Sequence, residues 1–127
     1  MLESEVQQHV QLAAREFECN LMRNNCGAFK DEGGRVVFFG LGNISKKHSD
    51  SIKSSDLIGF TKVKITPEMV GQTVAVFTAI ECKRSEWKGP KDKREIAQMA
   101  FINWVFLNGG YSGFANSVEA LKKILRR

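Results

Sequence analysis

Nowhere in this chain does an apolar run reach the roughly 18 residues that a membrane-spanning helix needs. The first residues, Met1-Leu2-Glu3-Ser4-Glu5, are acidic and carry no apolar stretch, which argues against a secretory signal. The expected compartment is therefore the cytoplasm, with no secretion and no membrane partner. Cysteine is scarce: Cys19, Cys26 and Cys82 are odd in number and form no C-x-x-C pair, so free thiols in a reducing compartment fit better than a disulfide framework. With His48, the first two cysteines match no common zinc-ligand spacing. Only two histidines occur, His9 and His48, and neither has a pattern that marks it as a general base for metal-free RNA cleavage. Internal repeats and low-complexity tracts are absent. A chain of 127 residues, 43% hydrophobic, is sized for one domain spanning 1–127, because two would leave each half short of buried area.

What the chain does have is positive charge. Nineteen Lys and Arg stand against fourteen Asp and Glu, a net +5, which permits attraction to a polyanion without requiring it. Hydrophobic spacing predicts a helix over 3–18 through Leu2, Val6, Val10, Ala13 and Phe17. A short strand is expected over Leu21–Asn25, ending in a turn at Cys26-Gly27. Another is expected over Arg35–Phe39 after the Gly33-Gly34 turn. The polar stretch 41–55 reads as an exposed, mobile loop, and Asp56–Ile65 as a strand. Thr66-Pro67-Glu68 predicts a short helical turn. Val74–Ile80 is apolar enough for a central strand. A second basic loop, Arg84–Arg94, leads to a helix over Glu95–Asn108 closed by Gly109-Gly110. An edge strand near Tyr111–Ala115 and an amphipathic helix over Ser117–Arg127 complete the chain. The class is α/β: a small mixed sheet flanked by helices, in the order α-β-β-β-α-β-α.

The chemistry concentrates at Ile80-Glu81-Cys82-Lys83. Alternation along a strand puts Glu81 and Lys83 on one face and Cys82 on the other, where its side chain can pack as a small hydrophobe. The bland reading is an ion pair at a frayed strand end. Asp56 changes the balance, because it stands where a polar loop enters the apolar Leu57-Ile58-Gly59-Phe60. With its strand antiparallel beside the Glu81 strand, the two carboxylates would converge. Close carboxylates repel, and a divalent cation relieves the conflict. Hard oxygen donors, including the Cys82 backbone carbonyl, favour Mg2+ or Mn2+.

Ser55-Asp56 followed by Glu81-Cys82-Lys83 resembles the PD-(D/E)XK nuclease signature, with Ser55 in place of the usual proline. More narrowly, the chain resembles a stand-alone VRR-NUC domain. The likeness rests on Arg23-Asn24-Asn25-Cys26-Gly27, Phe39-Gly40, Ser55–Gly59, Ala79–Lys83, Gln98 with Phe101-Ile102, and Gly109–Ala115, in that order. It covers about residues 3 to 118. The long separation between Asp56 and Glu81 corresponds to an insert over Thr66–Gln72.

That resemblance implies a restriction-endonuclease-like fold and metal-dependent hydrolysis of DNA phosphodiesters. Asp56 and Glu81 would hold the metal with the Cys82 carbonyl, and Lys83 would serve the attacking water. It also implies a glutamine after the E-x-K element, matched by Gln98, and a glutamate on the first helix. Glu3, near the edge of the apolar stripe and one turn from Gln7, matches that glutamate better than Glu5 does. Stand-alone members imply a homodimeric Holliday junction resolvase of bacteria or phage, active in DNA recombination and repair. Larger members imply the alternative of flap or fork cleavage. A non-catalytic DNA-binding protein on the same fold is the other alternative, and no nucleotide cofactor is expected. Arg23, Lys46, Lys47, Lys53, Arg84, Lys88, Lys91 and Lys93 are the expected phosphate contacts, extended by Arg126-Arg127. Trp87 is open to two roles, stacking on an exposed base or covering the core.

Overall fold

A computed structural model of the chain describes residues 1–125; Arg126 and Arg127, expected to extend the basic track, lie outside them. The class is mixed α/β, with elements α1 (Glu3–Ala14), β1 (Cys19–Arg23), β2 (Gly27–Lys30), β3 (Val36–Phe39), α2 (Lys46–Ser51), β4 (Leu57–Thr61), β5 (Thr78–Cys82), α3 (Lys93–Leu107), β6 (Tyr111–Ala115) and α4 (Val118–Leu125). The strands among the described residues form three two-stranded sheets, rather than the single small sheet that the sequence predicts. Two compact units contain them, Met1–Thr61 and Lys62–Arg127. No helix among the described residues is long and apolar enough to cross a membrane.

In the first unit, α1 begins where the Glu5 carboxylate reaches back to accept the Leu2 N–H at 2.8 Å. The helix stops at Ala14, short of the predicted 18. A 3-10 turn over Arg15–Phe17 follows, and Glu18 at φ 57° turns the backbone out of the helix. Gln11 ties α1 to β1 by donating its Nε2 to the Leu21 carbonyl at 3.0 Å, and Ala14 is buried. Strand β1 pairs antiparallel with β4, with Leu21 opposite Gly59. Glycine is required at position 59 because a Cβ there would overlap the Asn20 carbonyl.

Two features of this unit depart from the sequence reading. Cys26-Gly27 is not only a turn: from Gly27 the chain enters β2, which pairs antiparallel with β3 as a hairpin. The connection is held by Asp31, whose carboxylate accepts the Arg35 N–H at 2.8 Å. Nor is the 41–55 stretch an unstructured loop. Ser45 caps α2 by accepting the His48 N–H, and Asn43 donates its Nδ2 to the Gly27 and Phe39 carbonyls, both at 2.8 Å. Polar composition concealed that order, because the ordering groups are themselves polar.

In the second unit, Pro67–Met69 forms the predicted helical turn. Strand β5 begins at Thr78 rather than Val74. Its parallel partner β6 begins at Tyr111, opposite Thr78, and the first rung of the pair is the Tyr111 N–H donating to the Phe77 carbonyl at 2.9 Å. The crossover between the parallel strands is α3, capped at its start by Asp92, which accepts the Glu95 N–H at 2.8 Å. At its end, Gly109 N–H reaches the Phe106 carbonyl and Gly110 N–H the Val105 carbonyl, each at 3.0 Å. That pattern is a Schellman closure, and it needs the left-handed φ of 96° that Gly109 supplies.

The two helices pack on opposite faces of the strand pair. Ser112 donates to the Ile102 carbonyl of α3 at 2.6 Å, whereas a Cβ on the adjacent Gly113 would press on Ile124 of α4. Ile102 and Val105 of α3 are buried, as is Ala115 at the end of β6. By alternation and register, Ala79 and Glu81 of β5 share the α3 face with Ser112 and Phe114 of β6.

Candidate active site

Glu81 is the fourth residue of β5, and Lys83 follows directly after the strand. Its N–H continues the ladder to the Ala115 carbonyl at 2.9 Å. This extra rung fixes the backbone on which Lys83 stands, so its side chain leaves on the α3 face with that of Glu81. Gln98, on the second turn of α3, meets both. Its Oε1 accepts from Lys83 Nζ at 2.8 Å, and its Nε2 donates to Glu81 Oε1 at 2.9 Å. An amide has one accepting and one donating end, and here the cation takes the first and the carboxylate the second. The structure thus brings Glu81, Lys83 and Gln98 together in one chain of hydrogen bonds. A shallow hollow of about 100 Å³ opens beside it, lined by Ala79, Ile80, Glu81, Gln98, Phe101 and Ile102.

The Lys83 ammonium also has a second partner. Glu95 Oε2 lies 3.0 Å away, and both side chains are only 14% exposed. The Trp87 and Phe114 rings lie 5.8 and 5.6 Å from Nζ, within cation–π range. Trp87 itself donates its indole N–H to Glu95 Oε2 at 2.5 Å, and its ring packs tilted against Phe114 with centroids 4.7 Å apart. Of the two roles open to Trp87, the structure supports covering: the ring is half-buried and engaged on a face and at its nitrogen. Asn116 steadies the same loop by donating to the Ser85 carbonyl at 3.1 Å. The hydrogen bond from Lys83 holds the Glu95 carboxyl below its ordinary pKa, aided by Trp87 and the Lys91 N–H and opposed by burial.

Cys82, expected to pack as a small hydrophobe, is exposed at the end of its five-residue strand. The expectation that β4 pairs antiparallel with the Glu81 strand is corrected as well. The antiparallel partner of β4 is β1, and β5 pairs in parallel with β6. Asp56 belongs to the first unit, immediately before β4, and its side chain is exposed. Its backbone is pinned by Asn24, whose N–H donates to the Asp56 carbonyl at 2.9 Å. The Asn24 Nδ2 also donates to Ser54 Oγ at 2.9 Å and the Ser55 carbonyl at 2.8 Å. Ser55 Oγ in turn donates to the Leu57 carbonyl at 2.7 Å. Glu3 is exposed on the first turn of α1; Glu5 is occupied with the cap, which leaves Glu3 as the acidic residue there without that duty. Among the described residues, no three His, Cys, Asp or Glu side chains gather closely enough to form a ready metal-ligand group.

All eight basic residues expected to touch phosphate are exposed: Arg23, Lys46, Lys47 and Lys53 in the first unit, and Arg84, Lys88, Lys91 and Lys93 in the second. Arg84 lies 4.0 Å from Glu86, with both side chains more than two-thirds exposed (74% and 68%), a pairing too solvated to hold Arg84 away from other anions.

Two contributors escaped the sequence reading. Glu95 carried only a helix-capping signal, three residues after Asp92, and nothing in that spacing announces a lysine partner. Asn24 was read only as part of the Arg23–Gly27 block, without an assigned role. Comparisons with protein-family models, with curated proteins and with solved structures returned no match.

Proposed function

We propose that this chain is a metal-dependent, structure-specific DNA endonuclease of the PD-(D/E)XK kind, with a VRR-NUC-like fold, that resolves four-way junctions as a homodimer. The observation that carries the reading is the Glu81–Gln98–Lys83 chain at the end of a β-strand. A carboxylate and an ammonium leave the same strand face and are spaced by an amide that serves both. A frayed-end ion pair would bring the two charges into direct contact, and here Gln98 lies between them.

In this proposal Glu81, the Cys82 carbonyl and Asp56 hold one or two Mg2+ or Mn2+ ions, with Glu3 as a further ligand. Their donors are all hard oxygens, the set these ions prefer, and Gln98 engages Glu81 Oε1, leaving Oε2 to face a cation. When bound, the ion supplies charge neutralisation at the phosphate and acidifies the attacking water. Lys83 orients that water and offsets negative charge growing on the phosphate, while Gln98 keeps Lys83 and Glu81 apart. The exposed basic residues hold the DNA backbone without reading its sequence.

Apolar side chains on and beside two helices support the homodimer: Leu2 at the N-cap of α1 and Val6 and Val10 on it are 70, 43 and 45% exposed, and Val118 and Leu125 on α4 are 68 and 44%. A twofold pair of sites suits a four-way junction, where two symmetric strands are nicked. The setting is the cytoplasm of a bacterium or a phage-infected host, in DNA recombination or repair, with no nucleotide cofactor.

The test is a panel of labelled four-way junctions, flaps, forks and linear duplexes incubated with Mg2+, Mn2+ or EDTA. Junction cleavage is expected with either metal and none in EDTA. Lys83→Ala and Asp56→Asn should each lower the rate about 100-fold or more. Undiminished cleavage by either variant ends the assignment; preferred cutting of flaps or forks replaces the substrate; tight binding without cleavage indicates a non-catalytic DNA-binding protein.

A further inference from the structure

Glu95 is the third residue of α3, where a glutamate ordinarily caps the helix. One oxygen does close to that: Oε1 accepts the Lys91 N–H at 3.3 Å. The other oxygen turns away from the helix end and receives both Lys83 Nζ and Trp87 Nε1. An ammonium has three N–H bonds, and Glu95 and Gln98 take two of them from different directions. Without Glu95, the carboxylate that the same hydrogen-bond chain offers Lys83 would be Glu81, one amide away through Gln98. Collapse of Lys83 onto Glu81 would cover the oxygen that faces a cation and withdraw the ammonium from the phosphate.

We infer that Glu95 is a positioning residue for Lys83: it anchors the ammonium on the side opposite Glu81, and Trp87 fixes Glu95 in turn. The inference rests on the endonuclease reading for its effect on rate, though not for its effect on the lysine. It also gives the loop after β5 a specific part. The backbone that carries Arg84, Lys88 and Lys91 is tied through Trp87 to the carboxylate that holds Lys83, so the phosphate-binding side chains and the lysine share one support.

The experiment has two readouts. First, the side-chain ammonium of Lys83 is followed by 15N NMR, with its signal assigned by its loss in Lys83→Arg. A held, hydrogen-bonded ammonium exchanges slowly; the signal is expected in the parent protein and expected to broaden or vanish in Glu95→Gln and in Trp87→Phe. Glu95→Gln keeps the shape and one accepting oxygen, so the fold is retained. Trp87→Phe leaves the carboxylate intact and removes only its indole donor, a second route to the same outcome. Second, junction cleavage by Glu95→Gln should fall about tenfold in kcat with KM unchanged, because the misplaced group acts on the chemical step.

An unchanged Lys83 signal in Glu95→Gln overturns the inference, as does full kcat in that variant while Lys83→Ala is impaired. A lost Lys83 signal in a protein that cuts no DNA at all leaves the positioning intact and removes the endonuclease reading. The two failures are therefore distinguishable.

Discussion

Gln98 shows how one uncharged side chain can set the behaviour of two charged ones. With its oxygen toward Lys83 and its nitrogen toward Glu81, replacement by leucine leaves a part-buried cation and carboxylate each missing a partner. Gln98→Leu is expected to lower kcat about 10- to 100-fold, the scale seen when a group supporting a catalytic residue is removed, and steady-state cleavage measures it. Glu95 yields a pH prediction. Its folded pKa lies below the ordinary 4.5, chiefly through the Lys83 hydrogen bond. A carboxylate depressed in this way contributes stability that is present above its unfolded pKa and is lost as pH falls through the folded one. Thermal melts of the parent and Glu95→Gln should therefore differ most near neutrality and converge as pH drops from about 4.5 downward. A gap that persists or widens in acid would show that the carboxylate charge is not what stabilises.

At the scale of elements, the informative position is Gly59. It lies in β4 opposite Leu21, three residues after Asp56, and its backbone passes so close to Asn20 that no side chain fits. Gly59→Ala must push β4 away from β1, and a cost of about 1–3 kcal/mol is expected in denaturant unfolding. Asn24→Ala acts on the same corner by another route, freeing the Ser54-Ser55-Asp56 bend from its amide. The glycine was legible in the sequence as part of the Ser55–Gly59 block, but its steric reason was not, because it depends on the Asn20 carbonyl of a strand 39 positions earlier. The same limit explains the other departures. Periodicity located α1, α3 and α4 to within a few residues, because a helix makes its hydrogen bonds within itself. It set the start of β5 too early, because a strand extends only as far as its partner does. It overlooked β2 and α2, where Asn43, Ser45 and Asp31 supply order through side-chain hydrogen bonds that hydrophobic patterning does not register. Within the site, the grouping of Glu81, Lys83 and Gln98 was legible, the first two from strand alternation and Gln98 from the resemblance together with its helical face. Glu95 was not, because its second oxygen is engaged by residues 8 and 12 positions earlier.

Across the whole molecule, the net charge of +5 matters through where its lysines and arginines stand rather than through its size. Lys88 and Lys91 are exposed on the loop whose Trp87 is fixed by Phe114, Glu95 and Asn116, so their backbone is held while their charged ends stay solvated. Side chains of this kind bind phosphate by displacing condensed counterions, and each such contact steepens the dependence of log affinity on log salt by about 0.9. The double variant Lys88→Gln/Lys91→Gln is therefore expected to bind junction DNA more weakly at low salt and to flatten that slope by about 2, with cleavage at saturating DNA nearly unchanged. Fluorescence anisotropy across a salt series measures the slope, and single-turnover cleavage measures the chemical step separately. An unaltered slope would remove this loop from the DNA path. A fall in the chemical rate as large as that in affinity would mean that the loop acts on Lys83 directly, through the Trp87–Glu95 contact, and not by holding the backbone of the DNA.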